Sequence, residues 1–314
     1  MENKYTTADL RAMQAWPLER KIQVTQTRII EWYIKHKGQV YVSFSGGKDS
    51  TVLLDLARRI YPDIPAVFVD TGLEYPEIRE FVKTVDNVTW LRPEMNFKKV
   101  IETYGYPLIS KDVAKQISAA RKGTKNAVLA FDGKDVAGHE TEYRKRYKKW
   151  KDLYQSDIPI SEKCCDVMKK LPAKKYEKET GRKPILATMA EESVLRKNVW
   201  LQNGCNSFDG VRPKSQPMSF WTEQDVLEYI DRFGLSYSKI YGDIVKDENG
   251  KYRTTGATRT GCMFCMFGAH LEKHPNRFQK MKVTHPKQYD FCMKPVSDGG
   301  LGIAEVLDYI GVEH

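Results

Sequence analysis

The chain has 314 residues, 41% hydrophobic and 11% aromatic, enough for one large core or two modest ones and too apolar for a disordered chain. No apolar run reaches the ~18 residues that a membrane span needs, and Met1-Glu2-Asn3-Lys4 lacks the basic-then-apolar layout of a signal peptide, so a cytoplasmic protein is expected. In that compartment its six cysteines read as metal ligands or reactive thiols, and the formal net charge of +10 points to a polyanionic partner or to a basic surface around a nucleotide pocket.

From the N-terminus, residues 1–19 read as an irregular or short helical lead-in containing Pro17. The spacing of Ile22, Ile29, Ile30 and Tyr33 predicts a helix over 21–37 that Gly38 ends. An apolar strand over 39–44 then stops at Gly46 and Gly47, and helical spacing resumes over 49–60. A strand, a glycine turn and a helix N-terminus make an anion site, because the glycines allow close approach and unpaired N–H groups point outward. Lys48 adds a charge, and Ser43, Ser45 and Ser50 add hydroxyl donors. The ordinary P-loop does not fit, since it needs glycine where Val42 stands and Ser or Thr where Asp49 stands.

A second buried strand over 66–69 ends in Asp70-Thr71-Gly72-Leu73-Glu74-Tyr75-Pro76-Glu77, followed by a helix over 77–85 and a short strand over 89–91. Alternation at this pace predicts an α/β fold: a Rossmann-like parallel sheet with helices on both faces, and ligands beyond the carboxyl ends of the strands. Asp70 suits a helix cap, or a carboxylate that handles Mg²⁺ or a ribose hydroxyl.

Ser110 precedes a helix with Val113, Ile117 and Ala120 on one face. Over 141–151, Arg144, Lys145, Arg146, Lys148, Lys149 and Lys151 interleave with Tyr143, Tyr147 and Trp150, which suits either a solvated helix face or a seat for nucleic acid. Cys164 and Cys165 follow. A strand over 185–188 leads into Met189-Ala190-Glu191-Glu192-Ser193 and Arg196. Thr222 reads as an N-cap, with Val226, Leu227, Ile230 and Phe233 facing inward. The late pair Cys262-Met263-Phe264-Cys265 can wrap one metal centre. With Cys164 and Cys165 it offers four thiolates, a full set for a 4Fe-4S cluster or for zinc. Cys205 and Cys292 read as small buried apolar residues, or as substitutes for Cys164 in that set. Residues 299–310 end as a short amphipathic helix without cysteine.

Ser43-Phe44-Ser45-Gly46-Gly47-Lys48-Asp49-Ser50 resembles the PP-loop of ATP pyrophosphatases and sulfonucleotide reductases. The loop beginning at Asp70, the Cys164-Cys165 pair and the Cys262/Cys265 pair are similar to those of the PAPS reductase superfamily, whose domain is adenine-nucleotide α-hydrolase-like. The resemblance spans roughly 39–267. It implies a lead-in over 1–38, a PP-loop domain over 39–240 with a basic insertion around 115–183, and a cysteine-containing helical or irregular region over 241–314. It also implies a nucleotide held by Ser43, Ser45, Gly46, Gly47, Lys48, Asp49, Ser50, Asp70, Thr71, Glu192, Ser193 and Arg196. Lys48, Asp49 and Cys164 would be catalytic, and Cys164, Cys165, Cys262 and Cys265 would hold a 4Fe-4S cluster, with zinc as the alternative metal.

Two departures shape the functional expectation. Met189 stands where the superfamily usually has an arginine, and the tail carries no nucleophilic cysteine. They favour an ATP- and Mg²⁺-dependent sulfurtransferase that adenylylates an acceptor such as DNA or tRNA. Its sulfur would come from a donor such as a cysteine desulfurase. The alternatives are an APS or PAPS reductase that releases sulfite, and a nucleotide- or nucleic-acid-binding module without turnover.

Overall fold

Val40–Ser43 (β1), Ala66–Val69 (β2), Val88–Leu91 (β3) and Lys183–Leu186 (β4) are short runs rich in branched or apolar residues, and each lies in one sheet with the two-residue strands Asn206–Ser207 (β5) and Lys214–Ser215 (β6). The order is β3-β2-β1-β4-β6-β5, parallel throughout except where β5 meets β6. This is the expected α/β architecture with a largely parallel sheet. Strand order reverses at β1: β2 and β3 lie to one side, β4 to the other. Right-handed crossovers then put the connecting helices on opposite faces. Ser43 pairs in register with Leu186, so β1 and β4 end level, and the loops that leave them flank the point of reversal.

The computed structural model describes residues 3–314. They divide into two units, each assembled from segments distant in sequence rather than from consecutive blocks. The first runs through Asp70, then Glu74–Arg92 and Pro172–Thr260; the second takes Thr71–Leu73, Pro93–Leu171 and Gly261–His314. The sheet belongs to the first unit, as does the antiparallel pair Ile244–Lys246 (β7) with Tyr252–Thr254 (β8). Its core gathers Val40 and Val42 of β1, Phe44 just beyond it, Val52, Leu53 and Leu56 of helix Lys48–Arg58, and Ile185, Phe220, Trp221 and Tyr229.

Helix Leu18–Lys35 buries a different line from the apolar one the sequence suggests. Leu18, Lys21, Thr25, Ile29 and Trp32 face inward, whereas Ile22, Ile30 and Tyr33 are only partly covered. The cause is polar pairing. Lys21 Nζ donates to Gln14 O at 2.7 Å and to Asp225 Oδ2 at 2.6 Å. Thr25 Oγ1 accepts the indole N–H of Trp221 at 2.8 Å. Asp225 also accepts from the backbone N–H and hydroxyl of Thr222 at 2.6 and 2.7 Å, closing the capping box of helix Glu223–Phe233. Thr222 is thus the N-cap, as its sequence context predicts. Phe233 does not face inward as expected: it is 40% exposed, with the Arg59 guanidinium 4.6 Å from its ring centroid.

The second unit is mostly helical, with helices such as Phe97–Tyr104, Lys111–Arg121 and Pro286–Met293, and a two-residue parallel pairing of Leu108–Ile109 with Met266–Phe267. Ser110 caps Lys111–Arg121 through the Val113 N–H at 3.1 Å. Among the described residues no helix is long and apolar enough to cross a membrane.

Removing one member of a buried ion pair strands the other charge, at a cost of about 3–5 kcal/mol. Lys21→Met should therefore lower the urea midpoint strongly, and Lys21→Met combined with Asp225→Asn, which removes the stranded charge but keeps an acceptor for Thr222, should recover part of the loss. Additive losses in the double variant would show that the pairing is not what holds these helices.

Candidate nucleotide site and thiol group

The turn that leaves β1 is braced internally. Gly46 adopts φ +71°, the left-handed region, and a Cβ there would lie 2.7 Å from Val82 Cγ2 and 2.9 Å from Ile78 Cγ2. The Ser50 hydroxyl accepts the Ser45 N–H at 3.1 Å and donates to Gly47 O at 2.9 Å, while the Ser45 hydroxyl accepts the Gly47 N–H at 3.3 Å. Thr51 adds a second hydroxyl bond to Gly47 O at 3.0 Å. Gly47 is the N-cap of helix Lys48–Arg58, with no side-chain cap of its own. Ser43 closes β1 and is half-buried. The turn is thus pre-shaped at a helix N-terminus, where an anion is favoured.

Lys48 is 4% exposed and fully engaged from within its own unit. Its ammonium donates to Thr258 O at 2.7 Å and pairs with Glu223 at 3.0 Å. Its backbone N–H donates to the Tyr241 hydroxyl at 3.3 Å, and that hydroxyl lies 2.7 Å from Thr260 Oγ1. Asp49, 4.0 Å from the same ammonium, has a buried oxygen without a hydrogen-bond partner. Desolvation pushes its carboxyl above the ordinary range, against the opposing pull of Lys48. Glu223, Tyr241, Thr258 and Thr260 had no signature in the sequence, because their relation to Lys48 is a contact between segments 175 to 212 positions apart.

The loop beyond β4 lies at the carboxyl end of the neighbouring strand. Ser193 is the N-cap of helix Val194–Asn203, bonded to the Arg196 N–H at 3.2 Å. Glu192 accepts the Met189 N–H at 2.8 Å and forms a close ion pair with Arg196. Arg259 Nη1 stands 3.9 Å from the other Glu192 oxygen. The Arg196 guanidinium is pushed below its ordinary value, first by burial and then by the like charge of Arg259. Asp70 is 5% exposed, and its carboxylate accepts from Arg79 at 3.0 Å, with Arg92 at 3.7 Å. Thr71, in the second unit, accepts the Leu73 N–H on its hydroxyl at 3.2 Å.

Cys164, Cys165, Cys262 and Cys265 all fall in the second unit. Burial pushes the Cys164 thiol well up, and the other three raise it further. Cys265 is also raised, mainly by burial, against the Phe267 N–H and the Arg277 charge. A π-helical turn, Asp166–Lys170, follows Cys165 directly. The four sulfurs therefore feel one another. Yet among the described residues no group of three or more His, Cys, Asp or Glu side chains is disposed to hold a metal ion. Neither a cubane cluster nor a zinc ion is therefore assigned to them. Cys205 and Cys292 are buried, and burial raises them to about 11 and about 12 respectively. Neither is influenced by another cysteine: Cys205 responds to Trp200, Arg28 and Glu31, and the Cys292 thiol donates to Tyr289 O at 3.3 Å.

The basic segment folds as helix Glu142–Lys148, and most of its cations sit in half-exposed surface pairs. Arg144 bonds Asn126, Arg146 bonds Asp112, and Lys148 and Lys151 pair with Glu140 and Asp132. Lys145 pairs with Glu142, and Tyr147 is only 1% exposed, which removes one ring from stacking.

Residues 39–125 and 111–266 match the phosphoadenosine phosphosulfate reductase domain family, and the chain belongs to that family. It is accordingly an enzyme of a nucleotide-using class. Among curated relatives, an adenosine 5'-phosphosulfate reductase of Anoxybacillus flavithermus is 23% identical over 86% of this chain and 90% of its own length. One from Halalkalibacterium halodurans is 32% identical over 71% of this chain and 77% of its own. A crystal structure of phosphoadenylyl-sulfate reductase from Candida auris, a phosphate complex, covers 80% of this chain and 100% of that one at 13% identity and a TM-score of 0.41, too distant to add to this.

These relatives overturn the expectation of an ATP-dependent sulfurtransferase. That expectation leaned on Met189, but Met189 is 3% exposed and belongs to the core of the first unit, so its side chain says nothing about anion recognition. It leaned also on the cysteine-free tail, and where a chain ends is no guide to its chemistry.

Two outcomes follow from the turn. Gly46→Ala should lose about 2–4 kcal/mol, from the left-handed backbone and the two side-chain overlaps, read as a lower urea midpoint. Because Asp49 is raised, its ionisation opposes folding above the unfolded carboxylate pKa, and that penalty vanishes at lower pH, where it is protonated in both states. Asp49→Asn should then raise the melting temperature at pH 7, with a gain that shrinks as the pH falls towards 4. An equal gain at both pH values would remove desolvation as the cause.

Proposed function

We propose that the chain is a sulfonucleotide reductase, binding an adenylyl sulfate at the β1 turn and releasing its sulfur as sulfite. The observation that carries the reading is the pre-shaped anion turn at the strand-order reversal, with Lys48 and two guanidinium groups around it, in a chain of this family. Such a turn favours phosphate, and cations aimed at a leaving phosphate stabilise the charge it gains.

The chemistry needs two thiols. A thiolate attacks the sulfate sulfur, the S–O bond to the phosphate breaks, and the bonding pair leaves with AMP. A second thiolate then attacks the sulfonated thiol's own sulfur, a disulfide forms, and sulfite departs. Sulfur gains two electrons and the thiol pair loses two, so a dithiol reductant is consumed in each turnover. In this chain's part of the step, the Gly47 and Lys48 amides and the Lys48 ammonium hold the phosphate. To do so, the Lys48 ammonium exchanges its bonds to Thr258 and Glu223 for the ligand, and the Gly47 and Lys48 N–H groups leave the Ser45 and Tyr241 hydroxyls.

The test is direct. The purified chain, given adenosine 5'-phosphosulfate or its 3'-phosphorylated form with excess dithiothreitol, should release sulfite and the matching adenosine phosphate in equal amounts. Conversion of ATP to AMP and pyrophosphate, with no sulfite from either sulfated nucleotide, would overturn the reading.

A further inference from the structure

The loop beyond β4 poses an electrostatic question that the family resemblance leaves open. Met189 occupies the place where an arginine is usual, and it is sealed in the core. The charge missing there is nevertheless present in space. Arg259, from a segment far along the chain but in the same unit, brings its guanidinium to the carboxylate that also holds Arg196.

One of the two guanidinium groups is held and the other is open. Glu192 is 13% exposed and lies between the two guanidinium groups, fixed from behind by the Met189 N–H. It is the carboxylate nearest to both, with Asp49 acting on both and Glu191 on Arg259 from further away. Arg196 is depressed partly by Arg259, so the two like charges are close enough to repel. Arg259 sits at 3.9 Å from Glu192, beyond hydrogen-bond distance, with 62% of its side chain exposed. Its fork of N–H donors is therefore open to a ligand. The same two arginines act on Asp49 at the start of helix Lys48–Arg58, which ties the pair electrostatically to the phosphate turn.

We infer that Arg259 is a specificity-determining residue: with Arg196 it binds the terminal oxyanion of the nucleotide, the sulfate of an adenylyl sulfate. A tetrahedral oxyanion has more acceptor oxygens than Glu192 leaves unused, and it can take donors from both guanidinium planes at once. The inference rests on the reductase reading and names the group that reads the sulfate.

Equilibrium binding separates the two. The native chain and the Arg259→Ala and Arg259→Lys variants are titrated with adenosine 5'-phosphosulfate and with AMP, and folding of each is checked by circular dichroism. Arg259→Ala should weaken the sulfated nucleotide roughly 10- to 100-fold, the loss of a charge-assisted contact, and AMP by no more than about twofold. Arg259→Lys should fall between, because an ammonium keeps the charge and loses the planar fork. Equal weakening of both nucleotides, or of neither, overturns the role of Arg259 while the reductase reading stands. Failure of the native chain to bind the sulfated nucleotide sinks both.

Discussion

Everything in the first unit turns on the reversal of strand order at β1. Parallel strands run outward from it in both directions, and in sheets of this kind such a reversal is where the loops part and ligands bind in the crevice. The level ends of the two strands, set by the pairing of Ser43 with Leu186, put a glycine turn on one side and an acidic-and-basic loop on the other. The turn's shape is held by hydroxyl bonds within it and by close packing of Gly46 against Ile78 and Val82, which leaves it rigid before any ligand arrives.

The charges around this crevice are arranged in pairs that a substrate would rearrange. Lys48 is held by a carbonyl and by Glu223, Arg196 is held by Glu192, and Asp49 carries a desolvated carboxyl. Each is an interaction the free protein keeps and an anionic ligand competes with. The second unit has a different character: four cysteines in a largely helical frame, of which Cys164 is raised by burial and by the charges of the other three.

Strands β1 to β4 were readable because they are short, apolar and bounded by turns, and β2 in particular matches its predicted span, whereas the polar two-residue β5 and β6 gave no such signal. Thr222 announced itself through the box it forms with Asp225. The buried face of helix Leu18–Lys35 was not readable, because Lys21 and Thr25 look like surface residues until their partners, about 200 positions away, are in place. The same limit hid Glu223, Tyr241 and Thr258 around Lys48. It also made Met189 look like a lost anion contact, when the residue is core and the nearby charge comes from Arg259. Motifs report local backbone; charge balance at a site is a property of the assembled sheet.

That assembly has a thermodynamic corollary. The Gly47 turn and the Arg196–Arg259 pair come from three separate stretches of chain, and no unfolded or half-formed sheet can present them together. A nucleotide that spans them binds the native state alone, so its binding free energy adds in full to the free energy of unfolding, growing with the logarithm of its concentration. Substrate supply would thereby set how long each copy of this protein survives heat and proteolysis, as well as how fast it works.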